Sequence, residues 1–120
     1  MSAGFGPFRA VSLNAAILDE TFGTPVDCHG WPYVVFYVKG TGVTSSGVIT
    51  IEEADWNPAT DLPFSGTWSP ITTVNASDVD GGLQKAIHLP EAAYAFVRPR
   101  ISTVIGGVGS VTVVVRGIGS

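Results

Sequence analysis

The feature that most constrains this chain is a missing one: nowhere along its 120 residues do apolar side chains recur at helical spacing for a useful length. Short runs dense in valine, isoleucine and aromatic residues are instead cut at intervals of about 8–12 residues by Gly, Pro, Asn, Asp and Ser, the pattern of many short antiparallel strands. Six to eight strands are expected. They predict an all-β, antiparallel two-sheet β-sandwich, with a jelly roll as the preferred version. No repeat of 20–50 residues is visible, which argues against propellers and solenoids.

Trp31 to Lys39 is the strongest strand signal, and its lack of polar alternation predicts that both faces are covered. Val48 to Ile51, followed by Glu52 and Glu53, reads as the next strand running out to solvent. Turns at Gly40 to Gly42 and Ser45 to Gly47 separate the two, which are candidates for a hairpin. Asp55 to Gly66, with Pro58 and Pro63, is the longest loop, and Thr67 to Asn75 resumes as a strand broken by Pro70. Asp78 to Gly82 is turn chemistry. Leu83, Lys85, Ile87 and Leu89 then alternate with Gln84, Ala86 and His88, as in a half-buried strand that Pro90 stops. Tyr94 to Ser102 is a further strand, and Pro99, which has no N–H to donate, predicts a sheet edge or bulge there. Val111 to Arg116 reads as a core strand.

Ahead of these, Ala10 to Leu18 alternates loosely and reads as a first strand or a poor short helix, with strand preferred. Gly4, Gly6 and Pro7 break regular structure in residues 1–9, while Phe5 and Phe8 give that segment two large apolar side chains. An N-terminal arm over 1–9 and a single β-sandwich domain over 10–120 are the expected organisation. The arm lies either across its own domain or across a neighbouring subunit.

Charge is scarce, at 13 % of residues against about 25 % in ordinary soluble domains. A surface built from Ser, Thr, Gly and apolar atoms favours association, although a weakly charged extracellular domain would read the same way. A net charge of −4, with only six dispersed basic residues, argues against direct nucleic-acid binding, which draws on clustered Lys and Arg. No apolar run approaches the length of about 20 residues that a membrane-spanning helix needs, so no membrane partner is expected. The N-terminal residues lack the cationic and apolar regions of a secretory signal. Cys28 is a single cysteine without a disulfide partner, compatible with assembly in a reducing cytoplasm.

No catalytic constellation is recognisable in the sequence, and no enzyme activity, cofactor or metal is expected. Glu52 and Glu53 are adjacent on a strand, so they point to opposite faces and cannot flank one bond. Glu53 and Asp55 share a face only if the strand continues. Cys28 and His29 lack a third, orienting group, and with His88 the only other histidine neither a zinc site nor a Ser-His-Asp arrangement has enough parts. Asp78, Asp80 and Gly81 lack the later ligands of a calcium loop, and Gly106, Gly107 and Gly109 are followed by no helix that could bind phosphate. Trp31, Trp56 and Trp68 are open to two readings. They form a platform for sugar rings, or Trp31 belongs to the core while Trp56 and Trp68 pin the long loop, which is preferred.

In order along the chain stand Thr41 to Gly47 leading into Val48 to Glu52, then Gly66-Thr-Trp68, then Tyr94 to Ser102, then Gly106 to Val113. This order over residues 31–117 resembles small tailed-bacteriophage virion structural proteins, with Pro99 between two arginines as a departure. In size, charge poverty and expected fold the chain resembles the jelly-roll cement or decoration proteins of icosahedral heads. The resemblance implies a partner, the major capsid protein, bound on the capsid exterior of a virion assembled in the host cytoplasm, and a homodimer or homotrimer at a symmetry axis. It implies capsid stabilisation through an interface in which Phe5, Phe8, Trp56 and Trp68 bury apolar surface and Arg98 and Arg100 make strand-edge or salt contacts. Arg98 and Arg100 share a strand face, so pairing with a carboxylate of the same chain is an equal alternative. A tail, fibre or connector component and a carbohydrate-binding β-sandwich module are the other readings kept open.

Overall fold

Valine and isoleucine at every second position make two apolar walls, and the chain folds by facing them. In the computed structural model, which describes residues 8–28, 31–60, 62–63, 68–90 and 94–118, the first wall is led by β11 (Ser110–Ile118). Val111, Val113 and Val115 are fully buried on its inner side, while Thr112, Val114 and Arg116 face out. It pairs antiparallel with β1 (Phe8–Ala16) on one side and β4 (Tyr33–Thr41) on the other, and β9 (Gln84–His88) closes the order β1-β11-β4-β9. Facing it is a second antiparallel sheet built on β10 (Phe96–Gly106). Its order runs from β10 to β5 (Ser46–Ala54) and β8 (Ser69–Asn75), with β2 (Thr21–Phe22) and β3 (Val26–Asp27) both on the other side of β10. The fold is therefore a two-sheet β-sandwich, as the strand pattern predicts.

Between the sheets Phe36 and Val38 of β4 meet Ile49 and Ile51 of β5 and Val97 and Ile101 of β10, all fully buried. Each such side chain contributes about 1.5–3 kcal/mol of transfer free energy. A 3-10 turn, Ala76–Val79, closes one side of the core with two buried apolar residues. It lies so close to β4 that a Cβ on Gly40 would stand 2.2 Å from the Val79 carbonyl oxygen, so only glycine fits there. In the long loop, β6 (Trp56–Asn57) and β7 (Leu62–Pro63) pair as a small separate ribbon. β1 begins at Phe8, so Phe8 and Arg9 stand in the first sheet, and the rest of the expected arm lies outside the described residues.

Three expectations are corrected. β4 and β5 are not a hairpin but belong to different sheets. Their connection crosses the core edge, held by Thr44, whose N–H donates to Asp80 Oδ1 at 2.8 Å and whose hydroxyl donates to the Ala76 carbonyl at 2.9 Å. Pro99 lies inside the second sheet rather than at its edge, opposite Ile51 of β5. Within a strand the N–H and C=O of one residue point to the same side, so the missing donor faces the gap between β2 and β3 and removes no bond to β5. In that gap the Pro99 carbonyl accepts the Gly23 N–H at 2.8 Å, and a Cβ on Gly23 would meet the proline ring at 2.6 Å. β9 is mostly exposed rather than half-buried, because it is an edge strand bonded only to β4. Its inward Lys85 reaches Asp78 at 3.1 Å, and a charge pointing inward on an edge strand discourages edge-to-edge pairing with another sheet. The outer side of β4 is covered over Val35 and partly over Tyr37, and is open at Lys39.

Candidate functional site

Alternation along the strands leaves two outer faces on which function can be carried, and they are chemically unlike. On the second sheet, β10 turns Arg98 and Arg100 outward, opposite Glu52 and Thr50 of β5. Glu52 is 5 % exposed, which corrects the expectation that it runs out to solvent. Its Oε1 accepts the Arg98 Nε–H and its Oε2 the Arg100 Nε–H, each at 3.0 Å. One carboxylate thus accepts from two guanidinium groups, and Glu20 Oε1 lies 3.5 Å from a terminal nitrogen of Arg100. The Arg98 guanidinium also lies 4.2 Å from the ring centre of Phe22 and 4.1 Å from that of Trp68, within cation–π range. Beside them Thr50 donates its hydroxyl to Ser102 at 2.7 Å, and Ser102 to the Val48 carbonyl at 3.2 Å. This face is closed on itself.

Arg98 and Arg100, expected as interface residues, are therefore engaged with a carboxylate of their own chain, and Trp68 is half-buried against Arg98. Phe5 lies outside the described residues, while Phe8 and Trp56 are placed by their backbones in β1 and β6. Trp31 is half-buried against the core, as the preferred reading has it.

The remaining chemical candidates take structural places. Cys28 is fully buried, and burial, with the Asp27 charge behind it, pushes its thiol up to about 12, leaving the un-nucleophilic thiol at neutral pH. His29 lies outside the described residues, and His88 is exposed on β9. Asp78 and Asp80 spend their carboxylates on Lys85 and the Thr44 N–H. Among the described residues no group of three His, Cys, Asp or Glu is placed to hold a metal.

The first sheet's outer face was not singled out by sequence. Arg9 of β1 stands directly opposite Arg116 of β11, and Val11 opposite Val114 and Tyr37 in the next row. Arg9, Arg116, Tyr37 and Gln84 line a hollow of about 260 Å³. None of the ten acidic residues lies on the four strands of this sheet, whereas four of the six basic ones do. That segregation is the signal that would have found the face.

The arrangement of sheets has a known counterpart. The fold is shared with a prophage protein. The crystal structure of the SPBc2 prophage-derived protein YomS superposes with a TM-score of 0.58 over 92 % of this chain and 91 % of that one, at 14 % sequence identity. No family model matches the sequence, and no curated protein matches it.

Proposed function

We propose that this chain is a virion structural protein, a head decoration or cement subunit that binds the major capsid protein on the shell exterior and stabilises it by association alone. The observation that carries this is the likeness to YomS over nearly the whole of both chains, since the shared fold is that of a prophage-derived protein. Strand order supports the jelly-roll form. With β2 and β3 taken as one interrupted strand and the β6–β7 ribbon set aside, eight strands remain, ordered first-eighth-third-sixth in one sheet and second-seventh-fourth-fifth in the other. Surface composition supports a protein partner, for Val11 is 59 % exposed, Leu18 61 %, Leu83 61 % and Val108 93 %.

The mechanism is burial of these groups between subunits, with no bond made or broken. Purified protein added to heads assembled from the major capsid protein is expected to bind to saturation and to raise the temperature at which the heads disrupt. Absence of binding overturns the reading, and binding confined to tails moves the chain to a tail, fibre or connector position.

A further inference from the structure

Two arginines directly opposite each other across a strand pair repel, and a carboxylate beside them would offset the repulsion. Arg9 and Arg116 have no such group on their own sheet. Three basic residues, Arg9, Lys39 and Arg116, face out from a surface that also includes Val11, Val114, Tyr37, Gln84 and His88, and the hollow among them offers guanidinium, phenol and amide donors. Its chemistry suits a carboxylate carried on an apolar support.

The same chain presents that combination. Between β1 and β2 the residues Ile17, Leu18, Asp19 and Glu20 are all exposed, Leu18 at 61 % and the Glu20 side chain at 71 %. The chain turns sharply here, with Ala15 near the end of β1 and Glu20 just before β2 in the left-handed backbone region at φ of 52° and 60°, and the turn is anchored on β10, where Ile17 O accepts the Ile105 N–H and the Glu20 N–H donates to Ile101 O, each at 2.8 Å. The turn joins the first sheet to the second, whereas the hollow lies on the open outer side of the first.

We propose that the outer face of the first sheet receives the Leu18-Asp19-Glu20 turn of a second copy of this chain. The Asp19 carboxylate enters the hollow between Arg9 and Arg116, Leu18 packs on Val11 and Tyr37, and Glu20 stays with Arg100 of its own chain. Knob and hollow are different surfaces, so the contact is heterologous and builds a ring where the rotation closes. It stands apart from the capsid reading, since self-association is measured without any capsid.

The test is sedimentation velocity on the full chain at low and high ionic strength. Wild type is expected to associate, more weakly as salt screens the contact. Arg116→Glu and Asp19→Lys are each expected to weaken association by at least about tenfold, with unchanged circular dichroism because both sites are exposed. Mixed together, the two variants are expected to recover association, since the intact knob of one meets the intact hollow of the other. Three results each overturn the proposal: a wild type that is monomeric at low salt, even if the hollow takes up free succinate; association untouched by either variant; or a mixture that stays monomeric.

Discussion

Each outer face of the sandwich displays two arginines on neighbouring positions, and their fates differ. On the second sheet Arg98 and Arg100 share the buried Glu52, and Arg98 packs over Phe22 and Trp68. On the first, Arg9 and Arg116 face each other with no acid on any strand of their sheet. The number of arginines is equal, so what separates a stabilising cluster from an available one is whether a carboxylate of the same chain lies in register. A face whose charges are satisfied internally holds the fold, and one whose charges are not is left to a partner.

The largest effect that could break this comparison is loss of the shared carboxylate. Glu52→Ala leaves two partly buried guanidinium groups without it, and is expected to cost about 3–5 kcal/mol in urea unfolding. A loss under about 1 kcal/mol would make the second face no more cohesive than the first. Next in size, Arg98→Lys keeps the charge but gives up the planar stack on Phe22 and Trp68, and is expected to cost about 1–2 kcal/mol.

A smaller effect separates the core from both faces. The Cys28 thiol is raised in the folded chain from 9.0 to about 12, first by burial and then by the Asp27 charge. Because the folded state favours the neutral thiol, its contribution is complete below pH 9 and is lost as pH rises from 9 toward 12, at up to roughly 1.4 kcal/mol per unit. Tyr94, raised by burial and by Glu53, acts in the same direction. Stability measured against pH is expected to fall less steeply above pH 9 in Cys28→Ala than in wild type.

Strand positions were legible because β-branched density and turn residues are local signals. The cores of β4, β5, β10 and β11 fall within the runs Trp31 to Lys39, Val48 to Ile51, Tyr94 to Ser102 and Val111 to Arg116. Pairing was not local. Glu52 looked like a strand end in water because its partners stand 46 and 48 residues away on β10. β4 and β5 looked like a hairpin because nothing in residues 42–45 announces that Thr44 is tied to the 3-10 turn more than thirty residues on. Pro99 announced an irregularity correctly, yet the irregularity belongs to its neighbour, the outer strand broken into β2 and β3. Of the interface residues expected by resemblance, Arg98 and Trp68 meet each other, while the opposed Arg9 and Arg116 become visible only once β1 and β11 are known to pair.

The division between the two faces is tested most directly by reversing one charge on each and measuring urea unfolding in one buffer. Arg98→Glu, which sets a second carboxylate against the buried Glu52, is expected to lose several kcal/mol, about 3 or more. Arg116→Glu, which turns a repulsive cross-strand pair with Arg9 into an attractive one, is expected to leave stability unchanged or raise it by about 0.2–1 kcal/mol. Equal losses, or the larger loss at Arg116, would contradict the account.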